Sequence, residues 1–177
     1  AIENFAAWSG VPGAKVASGD FNGDGKTDIA VTGGAGWTTQ PVAFSNGNGT
    51  FNVTNLAIQN FGLYASLPGA KLVSGDFNGD GKSDLAVVGG DGWGTQPIAL
   101  SNGNGTFNVT NYGIENFAAW AGGAGKKVVA GDFDKDGKDD LAVAGDPGWT
   151  TQPLAFSNGN GTFRVTNPKI QIDAGWY

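Results

Sequence analysis

Residues 20–28 read DFNGDGKTD, and the pattern returns as DFNGDGKSD at 76–84 and DFDKDGKDD at 132–140. Oxygen-bearing side chains alternate along each stretch. In the first, Asp20, Asn22 and Asp24 hold positions 1, 3 and 5 and can converge on one hard cation. Gly25 supplies a sharp turn at position 6, Lys26 offers its carbonyl at position 7, and Asp28 at position 9 closes the shell. Six or more oxygens suit Ca²⁺ better than Mg²⁺, which keeps several waters. The second copy uses Asp76, Asn78, Asp80, Lys82 and Asp84; the third uses Asp132, Asp134, Asp136, Lys138 and Asp140. This is not an EF-hand, because position 12 is Val31 rather than a glutamate. About three Ca²⁺ per chain are expected, enough to offset the formal charge of −6. The alternative is a solvated acidic turn, which must explain carboxylates crowded with no compensating cation. One loop fills its own coordination shell, so the metal reads as a staple and not as a catalyst.

A second set of residues repeats with the same spacing. GGAGWTTQP (33–41) has the copies GGDGWGTQP (89–97) and GDPGWTTQP (145–153). It aligns Trp37, Trp93 and Trp149, beside Thr39, Thr95 and Thr151 and beside Gln40, Gln96 and Gln152. ENFAAWSG (3–10), QNFGLYAS (59–66) and ENFAAWAG (115–122) align Trp8, Tyr64 and Trp120. An indole plate with hydroxyl and amide neighbours suits a sugar ring, whose C–H face packs on the aromatic while its hydroxyls take hydrogen bonds. Several equal sites on one face gain through avidity. The competing reading makes these aromatics packing residues between repeats, and Gln40 before Pro41 a strand-end partner.

Composition narrows the function. The chain has no histidine and no cysteine. Imidazole is thus missing as general base, triad member or zinc ligand, and no disulfide framework exists. No carboxylate pair stands apart from the acidic loops except scattered Asp91, Asp146, Glu3 and Glu115, so no enzyme is expected. Beyond Lys126-Lys127 there is no basic cluster, so neither is nucleic-acid binding. No apolar run approaches membrane-spanning length, so no membrane insertion is expected. The opening AIENFAAWSG is not a signal peptide. Asn48-Gly49-Thr50 and its copies fit the N-glycosylation pattern, but Asn-Gly pairs read better as hairpin turns.

The elements that position these residues follow from the repeat. Its period is 56: residues 2–57, 58–113 and 114–169, with 170–177 beginning a fourth copy. Each repeat carries four short strand candidates, in the first about Lys15–Gly19, Asp28–Thr32, Pro41–Ser45 and Phe51–Ile58. No segment shows helical periodicity. Four antiparallel strands per repeat make a β-propeller blade, and a solenoid of small β-units is the alternative. The fold class is therefore all-β, a single propeller (half-)domain with three blades. Propellers have four to eight blades, so a homodimer closes a six-bladed ring or the chain is a piece of a longer propeller. The 1–2 and 3–4 turns share one end of a blade. The acidic loops and the SNGNGT hairpins thus lie on one face, with both aromatic sets on the other. In a closed dimer, 170–177 and 2–9 compete for one slot.

The stretch SGDFNGDGKTDIAVTGG resembles the FG-GAP (VCBS-type) repeat of integrin α-subunit propellers and of many secreted bacterial proteins. The fuller pattern, NF…GDFNGDGKTDIAV…SNGNGTF, is similar to the propeller lectins related to Psathyrella velutina lectin. The resemblance implies a propeller of six or seven blades, Ca²⁺ in the loops, sugar pockets between loops of neighbouring blades and an extracellular, secreted setting. The longer 2–3 loop with GWTTQP departs from the lectin pattern. The expected function is a multivalent carbohydrate-binding protein (lectin) whose partners are glycans or glycoproteins. The alternatives are an integrin-like adhesion propeller and an accessory propeller of a larger secreted protein.

Overall fold

The computed structural model describes residues 3–90, 92–145 and 147–170. The start of the fourth copy beyond Ile170, including Trp176, lies outside them, as do Asp91 and Asp146. The first repeat forms α1 (Glu3–Ser9), β1 (Lys15–Gly19), β2 (Asp28–Thr32), β3 (Thr39–Ser45) and β4 (Phe51–Ala57). The second forms α2 (Phe61–Ser66), β5 (Lys71–Gly75), β6 (Asp84–Val88), β7 (Thr95–Ser101) and β8 (Phe107–Gly113). The third forms α3 (Phe117–Ala121), β9 (Lys127–Gly131), β10 (Asp140–Ala144), β11 (Leu154–Ser157) and β12 (Phe163–Thr166).

Each repeat is one four-stranded antiparallel sheet in chain order, which is the propeller blade. Registers repeat between blades: Ile29 faces Ala43, Leu85 faces Ala99 and Leu141 faces Ala155. The inner strands β1, β5 and β9 run side by side, which explains their small residues. A Cβ added at Gly19 would lie 2.6 Å from the Ser83 Cβ, and one at Gly75 would lie 3.1 Å from the Ala130 Cβ. Only glycine lets the blades approach this closely at the axis.

The core is built between blades as much as within them. Phe21, Ala30 and Val42 of the first blade pack with Phe61, Leu85, Val87 and Ala99 in one buried cluster. Phe77, Val88 and Ile98 join Phe117, Leu141, Val143 and Ala155 in the next. Edge-to-face ring pairs cross both seams, Phe21 with Phe107 at 6.3 Å and Phe77 with Phe163 at 6.1 Å.

One expectation needs correction. The links between blades are helical, although the sequence carries no helical period. Helices of five to seven residues are too short for a 3.6-residue pattern to emerge, and too short to persist alone in water. Tertiary burial holds them: Phe61, Ala65, Phe117 and Ala121 are all fully buried. Among the described residues, no helix is long and apolar enough to cross a membrane.

Candidate metal loops and an aromatic face

The three acidic loops connect the first two strands of each blade. In the first, Asp20 Oδ1 accepts the Gly23 and Asp24 N–H groups at 2.7 and 3.1 Å, and Oδ2 accepts Gly25 N–H at 2.7 Å. Asn22 Oδ1 accepts Asp24 N–H at 3.0 Å, and Asp24 Oδ1 accepts Lys26 N–H at 2.9 Å. The second loop repeats these bonds with Asp76, Asn78 and Asp80. Gly25, Gly81 and Gly137 hold the turn at φ 81°, 81° and 85°, a region closed to most side chains. The third loop departs at position 4, where Lys135 adopts φ 65° in place of Gly23 and Gly79.

Asp28, Asp84 and Asp140 are fully buried. Asp28 Oδ2 accepts Phe21 N–H at 3.0 Å and Oδ1 accepts Ser45 N–H at 2.8 Å, tying the acidic loop to the 3–4 hairpin. Asp84 binds Phe77 and Ser101 in the same way, and Asp140 binds Phe133 and Ser157. Burial pushes the Asp84 carboxyl up to about 7; the Asp80 and Asp76 charges push the same way, against the two N–H bonds. Burial likewise raises Asp28 and Asp140.

One cation is already near each loop. Lys26 Nζ lies 2.7 Å from Asp24 Oδ2, Lys82 Nζ lies 2.8 Å from Asp80 Oδ2, and Lys138 pairs with Asp136. The hydrogen bond from Lys26 holds Asp24 below the usual carboxylate range. In the third loop Asp132, Asp134 and Asp136 each bring a carboxylate oxygen within 4.8 Å of the others. The donor set fits a hard cation: the carboxylate oxygens at positions 1, 3 and 5 converge in the third loop, and the position-9 carboxylate, raised first by burial and then by its acidic neighbours, is a group whose charged form a cation would favour.

The acidic loops and hairpins do share one face. A Cβ at Gly47 would meet the Lys26 side chain at 3.1 Å, and one at Gly103 would meet Lys82 at 3.2 Å. Neighbouring loops also bond directly: Ser83 N–H donates to Asp20 O at 2.7 Å, and Asp139 N–H donates to Asp76 O at 2.7 Å.

The aromatic set gathers at the 2–3 loops and the link helices. Trp37, Trp93 and Trp149 are half-buried. The Trp37 indole lies on Gly34, where a Cβ would come 2.1 Å from its Cε2, and Trp93 lies on Gly90 at 2.2 Å. Each loop tryptophan packs on a core cluster that the aromatic of the preceding link also borders. Trp8 and Trp37 share one cluster, Tyr64 meets Trp93 edge-on at 5.9 Å, and Trp120 and Trp149 share another. The helix of the following link then walls a cleft. One cleft of about 330 Å³ lies between Trp37 and Thr38 and the Ile58, Asn60 and Leu63 side. Another of about 440 Å³ lies between Gly90, Gly92 and Trp93 and the Ala118, Ala119 and Gly122 side.

The predicted polar neighbours separate. Thr39 and Thr151 are half-buried and Thr95 is exposed. Gln40 and Gln96 point inward: their Nε2 groups donate to Val31 O at 2.9 Å and Val87 O at 2.6 Å, and Gln152 donates to Val143 O at 2.6 Å. The glutamines tie β3, β7 and the third blade's 2–3 loop to the neighbouring strands. Sequence reasoning missed Thr38, Asn60, Leu63, Ala118 and Ala119, which became visible only once the links proved helical. It also missed Phe21 and Phe77, at position 2 of two acidic loops and fully buried.

With this geometry in view, comparison with known proteins gives a consistent picture. The FG-GAP-like repeat model matches residues 20–87 and 76–143, and the FG-GAP repeat model matches 124–163. Integrin alpha-V of Gallus gallus is 31% identical over 179 residues, spanning 93% of this chain but only 17% of that relative. A solved lectin of Agrocybe aegerita, described as specifically recognising non-reducing terminal N-acetylglucosamine, superposes with a TM-score of 0.66. It shares 24% identity, over 89% of this chain and 39% of its own. The likeness to the solved chain concerns the fold, and both relatives are much longer than the part matched. Three blades of one design, each opened by the same acidic loop, place the chain in the FG-GAP-like repeat family.

Proposed function

We propose that the chain is a multivalent carbohydrate-binding propeller unit, with Ca²⁺ holding each acidic loop and a sugar held in the clefts beside the loop tryptophans. One observation carries the sugar reading. A half-buried indole, braced on one side by a glycine, borders an open and partly apolar cleft, and the arrangement occurs at both Trp37 and Trp93. Sugar C–H faces pack on such a plate, while exposed Thr38 and Asn60 line the first cleft and lie at hand for hydroxyls. The Agrocybe aegerita lectin supports this reading through its shared fold.

In the loops, Asp20, Asn22, Asp24, Asp28 and the Lys26 carbonyl would hold the ion, as would their copies. A bound Ca²⁺ supplies charge neutralisation and a fixed loop shape. The reading is of a binder and not a catalyst, in an extracellular setting. A second reading, adhesion to a protein partner, draws on the likeness to integrin alpha-V. A glycan array in Ca²⁺, run beside a Trp37/Trp93/Trp149→Ala variant, tests the choice. Glycan binding that disappears in a folded variant supports the lectin reading, and no binding to any glycan overturns it in favour of adhesion.

A further inference from the structure

The clefts at the two seams are not copies of one another. The one at Trp37 opens toward the start of α2, where Ile58, Gln59 and Asn60 line it. The one at Trp93 opens toward the end of α3, where Ala119, Gly122 and Gly123 line it. It also runs on. A trough of about 480 Å³ lies between Gly69, Ala70 and Lys71 on one side and Gly123, Ala124 and Gly125 on the other. Gly123 lines both, so cleft and trough meet there. Together they form one groove from the Trp93 indole to the first residue of β5.

Side-chain size explains the difference. Ala119, Gly122, Gly123 and Ala124 at the second seam match Leu63, Ser66, Leu67 and Pro68 at the first. Leu63 and Leu67 stand out from the surface, 51% and 37% exposed. The second seam carries only a methyl group and a hydrogen at those two places. The backbone differs as well. Leu67 N–H donates to Tyr64 O at 3.2 Å and closes the end of α2. The matching Gly123 takes φ 81°, which a leucine adopts only under strain. Among the described residues its N–H has no partner. A Cβ at Gly123 would meet nothing within 4 Å, so no neighbouring group fills the space. The groove floor is thus bare backbone with an exposed donor.

Among the described residues the groove carries one charge, the Lys71 ammonium. Gly69 O at 3.2 Å and Ala121 O at 2.7 Å already hold it, so nothing described there calls for an ionised ligand. An open strip of backbone beside one indole suits a chain of neutral rings, each presenting a C–H face and hydroxyls. We propose that the second seam binds an extended neutral oligosaccharide, one ring on Trp93 and the next over Gly123 toward Ala124 and Lys71, whereas the first seam holds a single sugar ring. The inference rests on the carbohydrate reading above and divides its equal sites into two kinds.

The test compares two single-site chains in Ca²⁺. Trp37→Ala/Trp149→Ala keeps Trp93, and Trp93→Ala/Trp149→Ala keeps Trp37. Each is titrated by calorimetry with glucose and N-acetylglucosamine and with their linear tetrasaccharides, cellotetraose and chitotetraose. The chain that keeps Trp93 is expected to bind at least one tetrasaccharide about tenfold or more tighter than its free sugar. The chain that keeps Trp37 is expected to bind the two alike. Equal preferences in the two chains overturn the proposal, and so does a stronger preference at Trp37. Ala124→Leu in the otherwise unaltered chain reads the same point without removing an indole, at an exposed position. It is expected to weaken the tightest tetrasaccharide site about tenfold, and an unchanged affinity sinks the groove. Failure of the carbohydrate reading looks different. If none of these four probes binds while the glycan array is positive, the groove is wrong and the lectin reading stands; if the array is blank, both fall.

Discussion

The two faces of the blades are built on opposite plans. On the acidic face the loops are knit by internal bonds: loop carboxylates take backbone N–H groups, and Asp28, Asp84 and Asp140 tie loop to hairpin in all three blades. On the aromatic face the tryptophans are half-buried, clefts stay open, and the copies drift. Tyr64 replaces tryptophan, and Asp146-Pro147 replaces the Gly-Ala and Gly-Asp of the other loops. There Lys126 Nζ sits 4.5 Å from the Trp149 ring centre, a cation–π contact. A face knit by internal bonds holds the blades, and a face with open clefts can accept a ligand.

The sharpest test of that contrast is removal of the cation. Chelation is expected to lower the melting temperature strongly, because an ion bound only by the folded state at 100–1,000 times its Kd adds about 3–4 kcal/mol per site. Unchanged melting after verified metal removal would show that the loops stand on their own hydrogen bonds. Next in size is Asp84→Ala, which strands the Phe77 and Ser101 N–H groups in the core. A loss of about 3 kcal/mol in urea unfolding is expected, and a loss under 1 would break the proposed role. The same carboxyl sets a pH trend in metal-free protein. Its folded pKa of about 7 exceeds its ordinary 3.8. The folded state thus binds the proton more tightly; the stability this adds is fully present below about pH 4 and is lost as pH rises through 7. Ca²⁺, which needs the carboxylate, should flatten or reverse that slope.

On the other face Trp93→Ala should cost only about 1–2 kcal/mol of stability while lowering glycan affinity at least about tenfold. Gln96→Ala, just beneath, should show the inverse: stability down by about 1–2 kcal/mol and affinity unchanged. If both variants behave alike, the division between the faces fails. The smallest effect concerns the one irregular acidic loop. Lys135 holds a left-handed φ of 65°, so Lys135→Gly should gain about 0.5 kcal/mol, the relieved strain being partly offset by a freer unfolded chain. A destabilised variant would mean that the lysine side chain matters more than its backbone.

Much of this protein was legible in its residues, and the reason is repetition. A 56-residue period with alternating apolar runs and Asn-Gly turns specified four strands per blade. β1 and β2 begin and end where local patterning placed them, and β5 and β6 follow one 56-residue period later, because pleat and turn chemistry are short-range. The acidic loops were equally readable, since their ligand positions lie within nine consecutive residues. What lay beyond reach depends on contacts between blades. Link helices of five to seven residues exist because Phe61 and Phe117 find a core to enter. Gln40 and Gln96 turn inward because Val31 O and Val87 O await them, nine residues back and one strand away. Phe21, Phe77 and Phe133 sit in like loops, DFNGDG, DFNGDG and DFDKDG, yet two are buried and one is exposed. Local sequence determined the blade and its loop; only the packing of one blade on the next decided which face is sealed, which stays open and which phenylalanine lacks a cover.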